Sequence, residues 1–210
     1  MDRYVMLTPS TPYCHNMSEH PSAHALRENW DGTQVDHSDP IAVHVLVHGL
    51  AFTVGSAVGR TPPTQEETLA AFVVPNTAGL TAGARAWSKH FHRSARVAAP
   101  PETDTEIEEP KHDGLPVQSW WGTPSGPIPH INTRALELYH RISDGASWRN
   151  LHWLPHRVLV YEMRVPEGYG MRWAQDCTDE LQEQAAQRPW IFRGFVEPMV
   201  ENGHEVGWKH

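Results

Sequence analysis

Cysteine is nearly missing from the chain: Cys14 and Cys177 are the only two among 210 residues. One lies in an irregular N-terminal stretch and the other far along the chain, which argues against a disulfide framework or a cysteine zinc site as the organising device. Long apolar runs are missing as well. No stretch reaches the roughly eighteen consecutive apolar residues of a membrane span, and MDRYVMLTPSTPYCHNMSEH at the N-terminus lacks the apolar segment of a signal peptide. These absences lead to the expectation of an intracellular protein, cytoplasmic or nuclear, in a reducing compartment and without a membrane partner.

Positive charge is in deficit. Lys and Arg number 17 against 25 Asp and Glu, a net charge of −8 with histidine neutral. A charge of that sign gives no general attraction to nucleic acid, so any anion site has to be local. Two catalytic signatures are also lacking. No H-E-x-x-H occurs, and GSAVG and GTPSG have the wrong spacing for a G-x-S-x-G elbow. HVLVHGLAFTVG, which resembles the strand and His-Gly turn that open the oxyanion loop of α/β-hydrolases, therefore stands alone and reads as a buried strand ending at a glycine turn.

What is present concentrates between Trp148 and Trp173, in WRNLHWLPHRVLVYEMRVPEGYGMRW. Pro155 and Pro166 bound a strand over 158–165, in which Leu159, Tyr161, Met163 and Val165 share one apolar face and Val158, Val160, Glu162 and Arg164 the other. A second strand is expected over 190–197, with Gly194 marking a bulge or a close approach. EGYGMRW reads as a tight turn and a short strand.

Three helices are expected. Thr64 and Glu67 form a capping box that starts one near 65–74. Leu80, Ala84, Trp87 and Phe91 recur at helical spacing for another near 78–92, and Ala135, Leu138, Tyr139 and Ile142 for a third near 133–143. Ile41 to Val47, almost continuously apolar, reads as a buried strand. Helices first and strands late describe an α+β fold: a single domain over 37–210 with a small, mainly antiparallel sheet packed on about three helices. Residues 1–36 are expected to be a poorly ordered arm, with Trp30 as an anchor. AAPPETDTEIEEPKHDG makes 97–116 a disordered acidic, proline-rich loop.

GARAWSKHFHRS, ASWRNLHWLPHRVLVYEMRVPEGYGMRW and PWIFRGFVEPMVENGHEVGWKH resemble a family of uncharacterised proteins associated with filamentous fungi, over about residues 78–210. The resemblance implies kinship and brings no activity, cofactor or catalytic residue with it.

The functional expectation rests on donors gathered in an acidic chain. Arg85, Lys89, Arg93, Arg149, Arg172 and Arg193, with Trp153 and Trp173, suit a small anionic or aromatic ligand held in a cleft beside 148–173. His90, His92, His152, His156 and His204 are the candidates for acid–base chemistry, because imidazole exchanges protons near neutral pH. Two other readings stand beside it. A noncatalytic interaction module would use Trp120 and Trp121 as a partner surface. A metalloenzyme would combine the pairs His44/His48, His90/His92 or His152/His156 with Glu197, Glu201 or Glu205. The partner expected is a small molecule or a protein, without general nucleic-acid binding; cofactors stay unassigned.

Overall fold

Residues 10–92, 119–178 and 188–199 are described by the structure, a computed structural model. Among them, five helices precede a four-stranded antiparallel sheet in the order β1-β2-β3-β4. The helices are α1 (Pro21–Asn29), α2 (Pro40–Ala42, continuing into a π-helical turn Val43–Val47), α3 (Gln65–Phe72), α4 (Ala82–His90) and α5 (Ile128–Gly145). The strands are β1 (Trp148–Leu154), β2 (Val158–Arg164), β3 (Gly170–Asp176) and β4 (Ile191–Val196). The fold is therefore α+β, with an antiparallel sheet and α3, α4 and α5 packed against it.

One face of the sheet holds the core. Leu151, Leu159, Tyr161, Met163, Met171, Trp173, Phe192 and Phe195 pack there against Phe72, Trp87, Leu138, Tyr139 and Ile142 from the three helices. The rings interlock edge to face, Phe72 with Phe192 at 4.8 Å and Trp173 with Phe192 at 5.4 Å, a geometry that aromatic quadrupoles favour. Trp173 Nε1 donates to the Thr68 carbonyl at 3.0 Å, so its polar atom is satisfied inside the core. Gly83 lets α4 approach α3, since a Cβ there would lie 2.0 Å from Phe72 Cζ.

Thr64 and Glu67 form the expected capping box at α3, and Thr81 caps α4 through the Ala84 amide. In α5, Ala135, Leu138, Tyr139 and Ile142 are buried, the i, i+3, i+4, i+7 stripe of an amphipathic helix.

The N-terminal third departs from expectation. Ile41–Val47 is helical: Asp39 caps α2 through the Ile41 amide, Pro40 occupies the first turn, and Ala42, Val45 and Leu46 are buried while Val47 is 47% exposed. Capping and a helical burial period outweigh the β preference of its valines. The segment read as a poorly ordered arm carries α1, which packs Ala23, Leu26 and Trp30 on this turn. Glu19 and Arg27 form a buried ion pair at 2.6 Å. Residues 51–57 line the outer edge of β1, where the Ala51 and Ala57 amides donate to the carbonyls of Arg149 and Leu151 at 2.7 Å. That pairing covers an otherwise open sheet edge. WRNLHWL, expected only as the approach to the core strand, is itself β1. The loop expected over 97–116 lies outside the described residues.

Candidate catalytic cavity on the open face of the sheet

The second face of the sheet is polar by the same alternation that makes the first apolar. Cross-strand pairing places Asn150, Glu162 and Arg172 in one row, with Gly194 of β4 beside Arg172. The row on one side carries His152, Val160 and Ala174, and the row on the other Trp148, Arg164, Gly170 and Val196.

Glu162 organises this surface. Its Oε1 accepts from Arg164 Nε at 2.6 Å and its Oε2 from Arg172 Nε. Burial pushes the Glu162 carboxyl up, but the charges of Arg164 and Arg172 and their hydrogen bonds outweigh it and hold the carboxyl below its ordinary value. Arg164 is 1% exposed, and its Nη1 donates to the carbonyls of Gly168 and Glu197 at 2.6 and 2.7 Å. A guanidinium buried so deeply is tolerated because acceptors surround it. One carboxylate thus serves two arginines.

Above this network lies a cavity of about 310 Å³, lined by His152, Leu154, Val160, Arg164 and Arg172 from β1–β3, by Arg193 to Val196 from β4 with Glu197 just beyond it, and by His90 from the end of α4. Two local features bring the last group in. Pairing between β3 and β4 skips Arg193, because Arg172 faces Gly194 and Trp173 faces Phe192. Gly194 adopts φ +132°, a conformation suited to glycine. A bulge of this kind redirects a side chain, and Arg193 lines the cavity. His90 is the last residue of α4, which packs along β4.

Burial holds the His152 imidazole below its ordinary pKa, with nearby Glu162 acting the other way and Arg172 and Arg164 reinforcing it. At neutral pH the ring is a proton acceptor. Chemically, the cavity offers imidazoles for proton transfer beside guanidinium groups for an anion with several oxygens.

Of the residues picked from the sequence, His90, His152, Arg172 and Arg193 meet here, with Glu197 from the candidate metal ligands. Other described candidates lie elsewhere. Arg85, Lys89 and His92 are exposed on or just beyond α4. His156 sits in the turn Pro155–Arg157 with φ 63°, exposed and outside the cavity lining. Trp153 is exposed, with Arg60 over its ring at 5.1 Å. Trp173 belongs to the core, having alternated onto the helix-covered face. Arg149 points to the same side, where it donates to the carbonyls of Ser143 and Ala146 and lines a separate cleft with Tyr161. Arg93 and His204 lie outside the described residues, as do Glu201 and Glu205. Arg164 was absent from the candidates, although the E-x-R spacing on one face of a strand between prolines was a readable signal.

Residues 108–180 match the family model described as CdiA C-terminal tRNase toxin domain. The match spans about a third of the chain. It includes α5 and β1–β3, hence His152, Glu162, Arg164 and Arg172, and stops before β4. No curated protein and no solved structure matches.

This match overturns the expectation of an uncharacterised pocket for a small anionic or aromatic ligand. The interaction-module alternative falls with it, and for a visible reason: Trp121 is 3% exposed and Trp120 stacks on Tyr169 at 4.4 Å, so both indoles are committed to packing. The metalloenzyme alternative falls too. His44 is buried in the N-terminal region, where its Nε2 donates to the Ala51 carbonyl at 3.0 Å, and it does not line the cavity. Among the described residues no group of three His, Cys, Asp or Glu side chains is placed to hold a metal ion. The expected lack of nucleic-acid binding is corrected as well, because the matched family is defined by an RNA substrate. Net charge misled there: it averages over the chain, whereas the cavity wall is locally cationic. Among the described residues no helix is long and apolar enough to cross a membrane.

Proposed function

We propose that the chain is a ribonuclease of the toxin type that cleaves tRNA, using the open-face cavity as its active site. The observation that carries this reading is positional: the segment matching the tRNase toxin family supplies His152, Glu162, Arg164 and Arg172. These are groups that phosphodiester cleavage needs.

The scissile phosphate lies against Arg172 and Arg193, whose guanidinium groups pair with its non-bridging oxygens. His152, neutral for the reason given above, accepts the proton of the adjacent ribose 2′-hydroxyl as that oxygen attacks phosphorus. The bond from phosphorus to the 5′-oxygen breaks, and His90 gives that oxygen a proton. The products are a 2′,3′-cyclic phosphate and a free 5′-hydroxyl, and proton exchange with water resets the two imidazoles. Glu162 touches no substrate in this scheme. It positions Arg172 and anchors Arg164 beneath the phosphate, so the site is organised before the RNA arrives.

The test is the chemistry of the ends. Purified protein incubated with tRNA should yield fragments ending in 2′,3′-cyclic phosphate, and a single 2′-deoxy substitution at the cut position should block cleavage there. Intact tRNA after prolonged incubation, or cutting that ignores the 2′-deoxy substitution, would overturn the reading.

A further inference from the structure

The far end of the cavity holds a group that this reaction leaves unused. Glu197 is 7% exposed and lines the cavity, and among the described residues its Oε1 has no hydrogen-bond partner. A buried carboxylate oxygen without a donor is costly, so its natural partner is a ligand carrying N–H groups. The group is also held in place. Its backbone carbonyl accepts from Arg164 Nη1 at 2.7 Å, and the next residue, Pro198, is wedged so closely on Gly168 that a Cβ there would lie 2.9 Å away.

Position separates Glu197 from the proton-transfer step. Val196, its neighbour, is in the row of Trp148 and Arg164, four residues along the strands from the row of His152 and three strands across from β1, about 14 Å in each direction at the usual rise and strand spacing. That is too far for both to serve one hydroxyl. Arg172 and Gly194 lie between the two rows, and Val196 beside Glu197 gives the wall an apolar surface on which a base can lie.

Resting on the ribonuclease reading, we infer that Glu197 forms a guanine-selective base subsite in the cavity. A carboxylate only accepts hydrogen bonds. Guanine alone presents two adjacent donors, N1–H and the N2 amino group, on the edge that single-stranded RNA exposes. Adenine and cytosine present one exocyclic amino donor beside an acceptor nitrogen, and uracil one N–H between two carbonyls. A carboxylate facing either of those edges meets at least one acceptor and is repelled.

Binding of the four nucleoside 3′-monophosphates and of inosine 3′-monophosphate to the full chain, measured by calorimetry, tests this. Guanosine 3′-monophosphate should bind about 10–100-fold more tightly than the adenosine, cytidine and uridine compounds, the range of a good bidentate contact. Inosine keeps N1–H and lacks the amino group, so it should bind at least about five-fold more weakly than guanosine by the worth of one hydrogen bond; this arm needs no variant. Glu197→Gln should lose the preference and keep the affinity common to all four bases. Equal binding of all five compounds, or a guanine preference that survives in folded Glu197→Gln, would refute the subsite while leaving tRNA cleavage intact. Failure to cleave tRNA at all would instead refute the ribonuclease reading beneath it.

Discussion

The two faces of the sheet are built from the same four strands and have opposite characters. On the helix-covered face, Trp173, Phe192 and Phe195 interlock with Phe72 and Tyr139, and Trp173 Nε1 ends on a backbone carbonyl. On the open face, Glu162 and Arg164 are buried with charge, and Arg172 is half-buried beside them. The first face stabilises by removing apolar area from water. The second costs desolvation and returns little net stability, so its retention is explained by what it holds in place: two cations and an imidazole around a cavity. Alternation along β2 and β3 is the whole difference, since Met163 and Arg164, or Arg172 and Trp173, are neighbours in the chain.

Substitutions should therefore have consequences that depend on the face. The largest loss of stability is expected from Trp173→Ala, toward the upper end of about 3–5 kcal/mol for a buried aromatic, because the bond to Thr68 goes with the ring. Urea denaturation measures it. A loss under about 1 kcal/mol would break the assignment of this face as the core. Glu162→Gln comes next, near the lower end of about 3–5 kcal/mol, since it leaves Arg164 and Arg172 without their shared charge. If stability were instead unchanged, the network would not be as closely held as its geometry indicates.

Acid should act on both the sheet and the N-terminal region. Burial holds His44, His48 and His152 below the ordinary imidazole pKa. They stay neutral in the folded chain while the unfolded chain takes up protons below its pKa of about 6.5. Stability is thus fully present above about pH 6.5 and is lost as pH falls from there toward the depressed folded values. Replacing His44 by Gln should flatten this slope in melting experiments between pH 7 and pH 5. An unchanged slope would mean that His44 does not contribute to it. The smallest effect belongs to the exposed turn: His156→Gly relieves a left-handed backbone at φ 63° and should raise stability by at most about 1 kcal/mol, without altering RNA cleavage.

How much of this was readable in the chain differs between the faces too. Local rules sufficed for the core: the Thr64–Glu67 box, the stripe on α5 and the alternation in VLVYEMR each specify an element within a few residues. β1 escaped because Arg149, Asn150 and His152 interrupt its apolar pattern, and they do so for the sake of partners outside the strand, at Ser143, Thr53 and the cavity. Ile41–Val47 was misread because valine content suggests a strand while the Asp39–Pro40 cap decides for a helix. The cavity is the least local object in the molecule. It needs His90 from a helix, a bulge at Arg193 and three strands in register, and no spacing in the sequence encodes that meeting. For Arg164, which Glu162 and two carbonyls saturate, the E-x-R spacing on one strand face is the local signal.

The division of labour between the faces is tested most directly by His152→Ala, with cleavage of tRNA and thermal melting followed on the same preparation. The account predicts a rate reduced by about 10²–10⁴-fold, the usual worth of a positioned acid or base, in a protein that melts within a few degrees of the wild type or above it, because a desolvated imidazole has been removed. A variant that melts normally and cleaves tRNA within about three-fold of the wild-type rate, far short of that range, would contradict it.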